Sequence, residues 1–250
     1  MKSLLYLLLF LFSGQLFAQN DTTTFEQANA LYNEGKYAEA LDKYNTILAG
    51  DKHSAELYYN IANAHYKLNH IAPSIYYYEK AAKLAPNDDD IKNNISYANN
   101  MKIDAIETLP EIGIKKFMRN ITNSFTFDGW AKLSVALVFS FVILFLLYYF
   151  TYATTTKRLY FIGSLASIFI ACIALAFTFH SHSLAQKDKA AIVFSQESQV
   201  KSEPNTRSTE AFTLHEGTKV QILETVNDWK KIKIADGKTG WISEKDIKEL

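Results

Sequence analysis

Along this chain the apolar residues gather into three blocks, and elsewhere they recur with two different periods. The first block, residues 4–12, follows Met1-Lys2 and is too short to cross a hydrocarbon core. Ser13-Gly14-Gln15 breaks it, and Leu16-Phe17-Ala18 leaves a small residue before Gln19. A basic start, a short apolar centre and a small-residue exit predict a signal peptide over residues 1–18. The other two blocks, residues 133–156 and 159–179, contain no Lys, Arg, Asp or Glu. A helix needs about 20 apolar residues to cross a bilayer, so each block predicts a transmembrane helix. Lys157 and Arg158 lie between them. Each such charge costs about 2.5–3.5 kcal/mol at the centre of a span, so the pair is expected to form the turn of a two-span hairpin. An exported leader then puts residues 19–130 and 180–250 on one outer side and the turn in the cytoplasm. Lys115, Lys116, Arg119 and Lys132 fall on that outer side, which is tolerated because long exported segments translocate with little regard to charge.

Between leader and hairpin the apolar period is helical and itself repeats. Residues 21–54 and 55–88 align without a gap at a spacing of 34, so that Ala28 falls on Ala62, Tyr32 on Tyr66, Leu41 on Ile75, Tyr44 on Tyr78 and Leu48 on Ala82. Gly35-Lys36-Tyr37 falls on Asn69-His70-Ile71 at the turn inside each helix pair, and Pro86 stops the second pair. This pattern resembles the tetratricopeptide repeat (TPR). Asn87-Asp88-Asp89-Asp90 offers N-cap oxygens for a further helix carrying Ile91, Ile95 and Ala98, read as a cap that closes an all-α repeat domain over residues 19–108.

In the TPR family the first helix of each pair lines a concave groove. The resemblance implies groove positions at Phe25, Asn29 and Tyr32, then Glu56, Tyr59, Asn63 and Tyr66. Amides can pair with an extended peptide backbone while rings cover its apolar side chains, which makes Asn29, Tyr32, Tyr59, Asn63 and Tyr66 the candidate partner-binding residues. Phe25, Tyr59 and Asp90 occupy positions where carboxylate-holding TPRs carry cations, so that mode of binding is not expected. The alternative is that the two repeats only pack against the chain's own membrane region.

Residues 109–132 are amphipathic: Ile112, Ile114, Phe117, Met118 and Ile121 interleave with Lys115, Lys116 and Arg119. Two readings stand open, a helix lying along the membrane with Trp130 at headgroup level and an ordinary juxtamembrane linker.

After the hairpin the pattern shortens to strands and turns. Lys231-Ile232-Lys233-Ile234 alternates with period two. Asp236-Gly237 predicts a tight hairpin with a primed turn, and Asn227-Asp228 a second turn. The runs 214–220, 228–232 and 236–242, the last ending Gly240-Trp241-Ile242, resemble a bacterial SH3-like domain, which implies an all-β small barrel over residues 188–250. Trp229 and Trp241 are its candidate ligand residues, because indole offers contact area and a donor. Gly237-Lys238-Thr239-Gly240 lacks the glycine spacing and following helix of a phosphate loop.

Charge is balanced at 26 basic against 26 acidic residues, so no global field steers nucleic acid to the chain. The single cysteine, Cys172, excludes an internal disulfide and is expected as a small buried thiol. His180 and His182 are the only close histidine pair, with a strand-like spacing but no further ligand nearby. No nucleophile, metal or cofactor motif is present, and the chain reads as non-catalytic with no cofactor. The order of segments (leader, TPR pair, two-span hairpin, SH3-like tail) makes a multidomain membrane protein that resembles the BatE-type proteins of the Bacteroides aerotolerance operons. That resemblance implies a bacterial inner-membrane protein with its TPR and SH3-like domains in the periplasm. It also implies a stress-tolerance complex with von Willebrand factor A-domain membrane proteins and a MoxR-type ATPase. Two functions follow from the modules: an adaptor that binds protein partners through the TPR groove, or an envelope tether that binds peptidoglycan through the SH3-like domain.

Overall fold

A computed structural model describes residues 16–107, 113–187 and 189–250; the apolar run of the predicted leader and the first residues of the juxtamembrane segment fall outside these. The chain forms two compact units, one made of the residues up to Thr108 together with Ala190–Leu250, the other of Leu109–Lys189.

Among its described residues the first unit has five helices: α1 (Leu16–Asn33), α2 (Tyr37–Ala49), α3 (Ala55–Lys67), α4 (Ile71–Leu84) and α5 (Asp89–Asn99). The 34-residue period has a direct physical basis here. Ala28 and Ala62 are fully buried and let helices approach, while Tyr44 and Tyr78 are buried fillers at equivalent places. Both inner turns are built alike. At the end of α1, Gly35 N–H donates to Tyr32 C=O and Lys36 N–H to Leu31 C=O; at the end of α3, Asn69 N–H donates to Tyr66 C=O and His70 N–H to His65 C=O. These are Schellman caps, with Gly35 at φ +79 and Asn69 at φ +60. Ser54 caps α3 by accepting from Leu57 N–H, and Asp88 caps α5 by accepting from Asp90 and Ile91 N–H. The predicted capping helix therefore forms, and its Ile91 and Ala98 are buried.

The same unit contains seven strands, β1 (Ala190–Val193), β2 (Glu197–Lys201), β3 (Glu210–His215), β4 (Lys219–Val226), β5 (Trp229–Lys233), β6 (Thr239–Ser243) and β7 (Ile247–Glu249). They make one sheet in the order β3-β2-β6-β5-β4-β1-β7. Val193, Val200, Leu214, Val220, Ile232 and Ile242 lie in its core. The expected small barrel does not close: β3 and β7 remain edges. At the β3 edge the chain following α5 intervenes. Ile106 packs on the core, and Asp104 accepts the His215 N–H at 2.7 Å. The hairpin at Asp236-Gly237 also differs from expectation. Ile234 and Lys238 close a three-residue loop in which only Gly237 has positive φ, the geometry of a type I turn with a glycine bulge instead of a two-residue primed turn.

The β domain docks on α4. Ile192 joins Ala72, Ile75, Tyr76 and Ala98 in one buried cluster, and the Phe194 ring meets Tyr76 edge-on at 5.7 Å. Gly217 presses so closely on this helix that a Cβ there would lie 2.8 Å from Ile75 Cδ1 and 2.9 Å from Ile71 Cγ2. Asp104 fastens the contact by accepting from His215 N–H, the His215 ring and Thr218 Oγ1 at 2.6–2.7 Å. Lys219 Nζ donates to Glu79 at 2.7 Å.

The second unit holds α6 (Ile114–Thr122), α7 (Phe127–Phe150) and α8 (Thr154–Lys187). α7 and α8 are long and apolar enough to cross a membrane. Small residues line the seam between them: Ser167 is buried and donates to Leu137 C=O at 2.8 Å, and Ala171 and Ala174 are buried. The connection is at residues 151–153, not at Lys157-Arg158, which lie in the first turns of α8. Their backbone can be helical because long stems carry the charged heads outward; Lys157 Nζ lies 5.1 Å over the Tyr148 ring. Cys172 is exposed and not buried as expected, since its neighbour Ala171 takes the seam. His180 and His182 are helical, and two residues apart on a helix they point about 200° from one another, so the strand-like chelating geometry is absent.

Candidate binding surfaces

The repeat positions named from sequence fall into two physical classes. Asn29 and Asn63 are half-buried and are tied by hydrogen bonds within the repeats. Asn29 Oδ1 accepts from Tyr44 Oη at 2.6 Å and from Asn60 Nδ2 at 3.0 Å, and Asn63 Oδ1 accepts from Tyr78 Oη. The same bond thus recurs 34 residues on. Burial pushes the Tyr44 hydroxyl up to about 12 and raises that of Tyr78, so both remain donors at neutral pH. Phe25, also expected in the groove, packs inward at 5.9 Å from the Tyr44 ring.

Tyr32, Tyr59 and Tyr66 are half-buried and keep an open side. Tyr32 is braced edge-on by Tyr37 at 5.1 Å, and Tyr59 and Tyr66 are backed by the cluster around Ile75 and Tyr78. Tyr59 Oη accepts from Asn94 Nδ2 of α5 at 2.9 Å, which ties the second repeat to its cap. Beside it, Ala55, Glu56, Tyr59, Asp88, Asp90 and Ile91 line an open pocket of about 220 Å³. Three carboxylates around a ring accept hydrogen bonds and cations, the reverse of what a terminal carboxylate needs. Asn60, Asn94 and Ile91 had no signal as site residues in the sequence, because none occupies a recurring groove position.

On the β domain, Trp229 pairs with Ser243 and Lys231 with Trp241 across β5 and β6. Strand alternation puts these residues on the sheet face opposite Ile232 and Ile242. Trp241 is only 9 % exposed, whereas Trp229 is half-buried. Lys231 Nζ lies 5.8 Å from the centre of the Trp241 ring. This face therefore offers an indole edge, a covered indole and a cation, but no acid–base or nucleophilic pair. Among the described residues, no three His, Cys, Asp or Glu side chains are placed to hold a metal.

Residues 55–88 match the family model of the tetratricopeptide repeat, and residues 198–248 match that of the bacterial SH3 domain. The first match covers the second repeat alone, although the first repeat shares its turn and its tyrosine–asparagine bond. No curated protein matches the chain. The chain thus joins two modules of non-catalytic, binding types to a pair of helices long enough to cross a membrane.

Proposed function

We propose that this protein is a non-catalytic, membrane-anchored adaptor whose TPR groove holds a protein partner in an envelope complex. The observation that carries this reading is the division of the repeat surface. The α4 side is covered by the chain's own β domain, while Tyr32, Tyr59, Tyr66 and the acidic pocket beside Tyr59 stay open. Membrane anchoring rests on the two helices long and apolar enough to cross, and the connectivity agrees with a pair of crossings. Segments before and after the hairpin pack together, which two crossings permit and a single crossing forbids. The periplasmic side of a bacterial inner membrane, von Willebrand factor A-domain and MoxR-type ATPase partners, and a role in aerotolerance follow from the resemblance of segment order. The test is cross-linking of the tagged full-length protein in intact membranes, followed by identification of what co-purifies. Tyr59→Ala with Tyr66→Ala, and separately Glu56→Arg at the pocket rim, should release the partner while insertion and folding persist. Capture unchanged by both folded variants counts against the groove.

A second reading rests on the Trp229–Lys231–Trp241 face: an envelope tether that binds peptidoglycan through the SH3-like domain. Ile106 and Asp104 complete this domain from outside its own segment, so the test uses the full chain in detergent. Pelleting with purified cell wall, reduced by Trp229→Ala, supports the tether, and pelleting no greater than a control protein removes it.

A further inference from the structure

α6 presents an apolar face that its own unit leaves open at Ile114 and Phe117 and covers only in part at Ile121. On a helix, Ile114, Phe117, Met118 and Ile121 fall within an arc of about 100°, and Ile114 is 81 % and Phe117 63 % exposed. Among the described side chains of α6 only Thr122 is buried. Lys116 and Arg119 lie across the helix from that face, and residues 113–127 contain three cations and no carboxylate. The end of α6 is fixed to the hairpin. Trp130 Nε1 donates to Thr122 C=O at 3.0 Å, and its indole stacks on Phe177 of α8 at 4.9 Å. Thr126 caps α7 by accepting from Gly129 N–H, so four residues separate the amphipathic helix from the apolar one. The carboxyl end of α6 is therefore held at the level where the apolar hairpin begins.

We propose that α6 is a membrane-surface helix that lays Ile114, Phe117, Met118 and Ile121 into the headgroup–acyl boundary and turns its cations to anionic phospholipid headgroups. This rests on the hairpin crossing a bilayer. Continuity with that hairpin selects lipid as the occupant over a protein groove: a helix tied at Trp130 already lies beside the interface, where an apolar face and basic flank are both satisfied. Trp130 itself is only 8 % exposed, so it acts as the internal hinge pin, and the aromatic contact with lipid passes to Phe117 and Phe125.

The test places an environment-sensitive fluorophore at Phe117→Cys, and in a second protein at Asn120→Cys on the polar flank, both in a Cys172→Ala background. The full-length protein is reconstituted in vesicles with and without phosphatidylglycerol. The expected result is blue-shifted emission at 117, protected from aqueous iodide and quenched best by bromine near the headgroup end of the acyl chain. The label at 120 should remain iodide-accessible, and protection at 117 should weaken without phosphatidylglycerol. A water-exposed label at 117 in protein that resists carbonate extraction overturns the proposal alone. Protection at 117 with no quenching by bromine at any depth of the acyl chain also overturns it, by showing a protein cover. Extraction by carbonate removes the hairpin reading and this proposal with it.

Discussion

Two glycines separate the cost of backbone conformation from the cost of domain docking. Gly35 and Gly217 both have left-handed φ, +79 and +84. Around Gly35 a Cβ would meet nothing within 4 Å, whereas at Gly217 it would meet Ile75 Cδ1 at 2.8 Å, Ile71 Cγ2 at 2.9 Å and Lys102 Cγ at 3.1 Å. Gly35→Ala should therefore cost only the left-handed penalty, about 1–2 kcal/mol. Gly217→Ala bears the same penalty plus about 1–3 kcal/mol for forcing a methyl into packed side chains. Side-chain tips can sometimes retreat, but Ile75 is only 1 % exposed and has little space to do so. Hydrogen exchange of the full-length protein in detergent micelles reads the difference. Opening around β1 in Gly217→Ala should be accelerated more than opening around the α1–α2 turn in Gly35→Ala, by roughly 5- to 150-fold, since 1.4 kcal/mol is a factor of ten. Exchange in α4 should quicken with β1, because Ile71 and Ile75 are the groups displaced. Equal costs at the two glycines refute the close approach. Loss of protection confined to the strands, with α4 untouched, refutes docking as a coupled interaction.

Three further perturbations probe the polar contacts. Burial, then His70 and Lys248, push the His65 imidazole from its ordinary 6.5 down to about 4; the stability it carries is full above pH 6.5 and drains as pH falls toward 4. A loss on the order of 2 kcal/mol, allowing for partial exposure, should appear in melts across that window and largely vanish in His65→Phe. Burial alone would raise the Asp104 carboxyl, but the bonds from Thr218 and His215 outweigh it and hold the group below its ordinary 3.8; its stabilisation is present above that pH and lost below it. Asp104→Asn should loosen β3 exchange at neutral pH by about 1.5–3 kcal/mol, the range for charge-assisted bonds. Tyr78→Phe should destabilise by about 1–3 kcal/mol by stripping the donor from Asn63. Tyr44→Phe should cost less, because Asn29 keeps the Asn60 donor, and urea titrations of the two variants that give the reverse order contradict this account.

Much of the repeat was legible because a period constrains both helices and turns. The fall of Gly35 on Asn69 marks the two residues that most readily take the left-handed cap, and Asp88 marks the start of α5. The bonds of the asparagines within the repeat were not read from the sequence, which offered Asn29 and Asn63 as groove residues, although the spacing carries them. Asn29 and Tyr44 are 15 apart, as are Asn63 and Tyr78, and a bond that repeats with the period serves the repeat itself. A ligand needs no such symmetry. The hairpin ends were less legible, since Lys157 and Arg158 are compatible with a helix once their stems reach outward, and charge alone cannot tell a turn from a first helical turn. Least legible was the docking of the β domain. Asp104 meets His215 across 111 residues and Lys219 meets Glu79 across 140, and no local pattern encodes such pairs. The open sheet has the same origin, because part of what covers its edge arrives from the end of the helical repeat.

That docking changes what the two binding modules can do. Independent modules on a flexible linker would bind separate ligands with separate energies. Here α4 and the sheet share one buried cluster, so the tyrosine side of the repeats and the Trp229 face belong to one compact body. Trp229→Ala should leave the groove intact, because Trp229 lies outside the shared cluster, whereas Tyr59 and Tyr66 pack against that cluster and their substitutions are read beside a measurement of β1 exchange. Gly217→Ala should instead weaken capture of any partner that spans both surfaces, since it loosens the body that sets their spacing. A partner that uses the groove alone should tolerate it. The same substitution that measures docking energy therefore also distinguishes a scaffold reading two surfaces together from a chain that merely carries two domains.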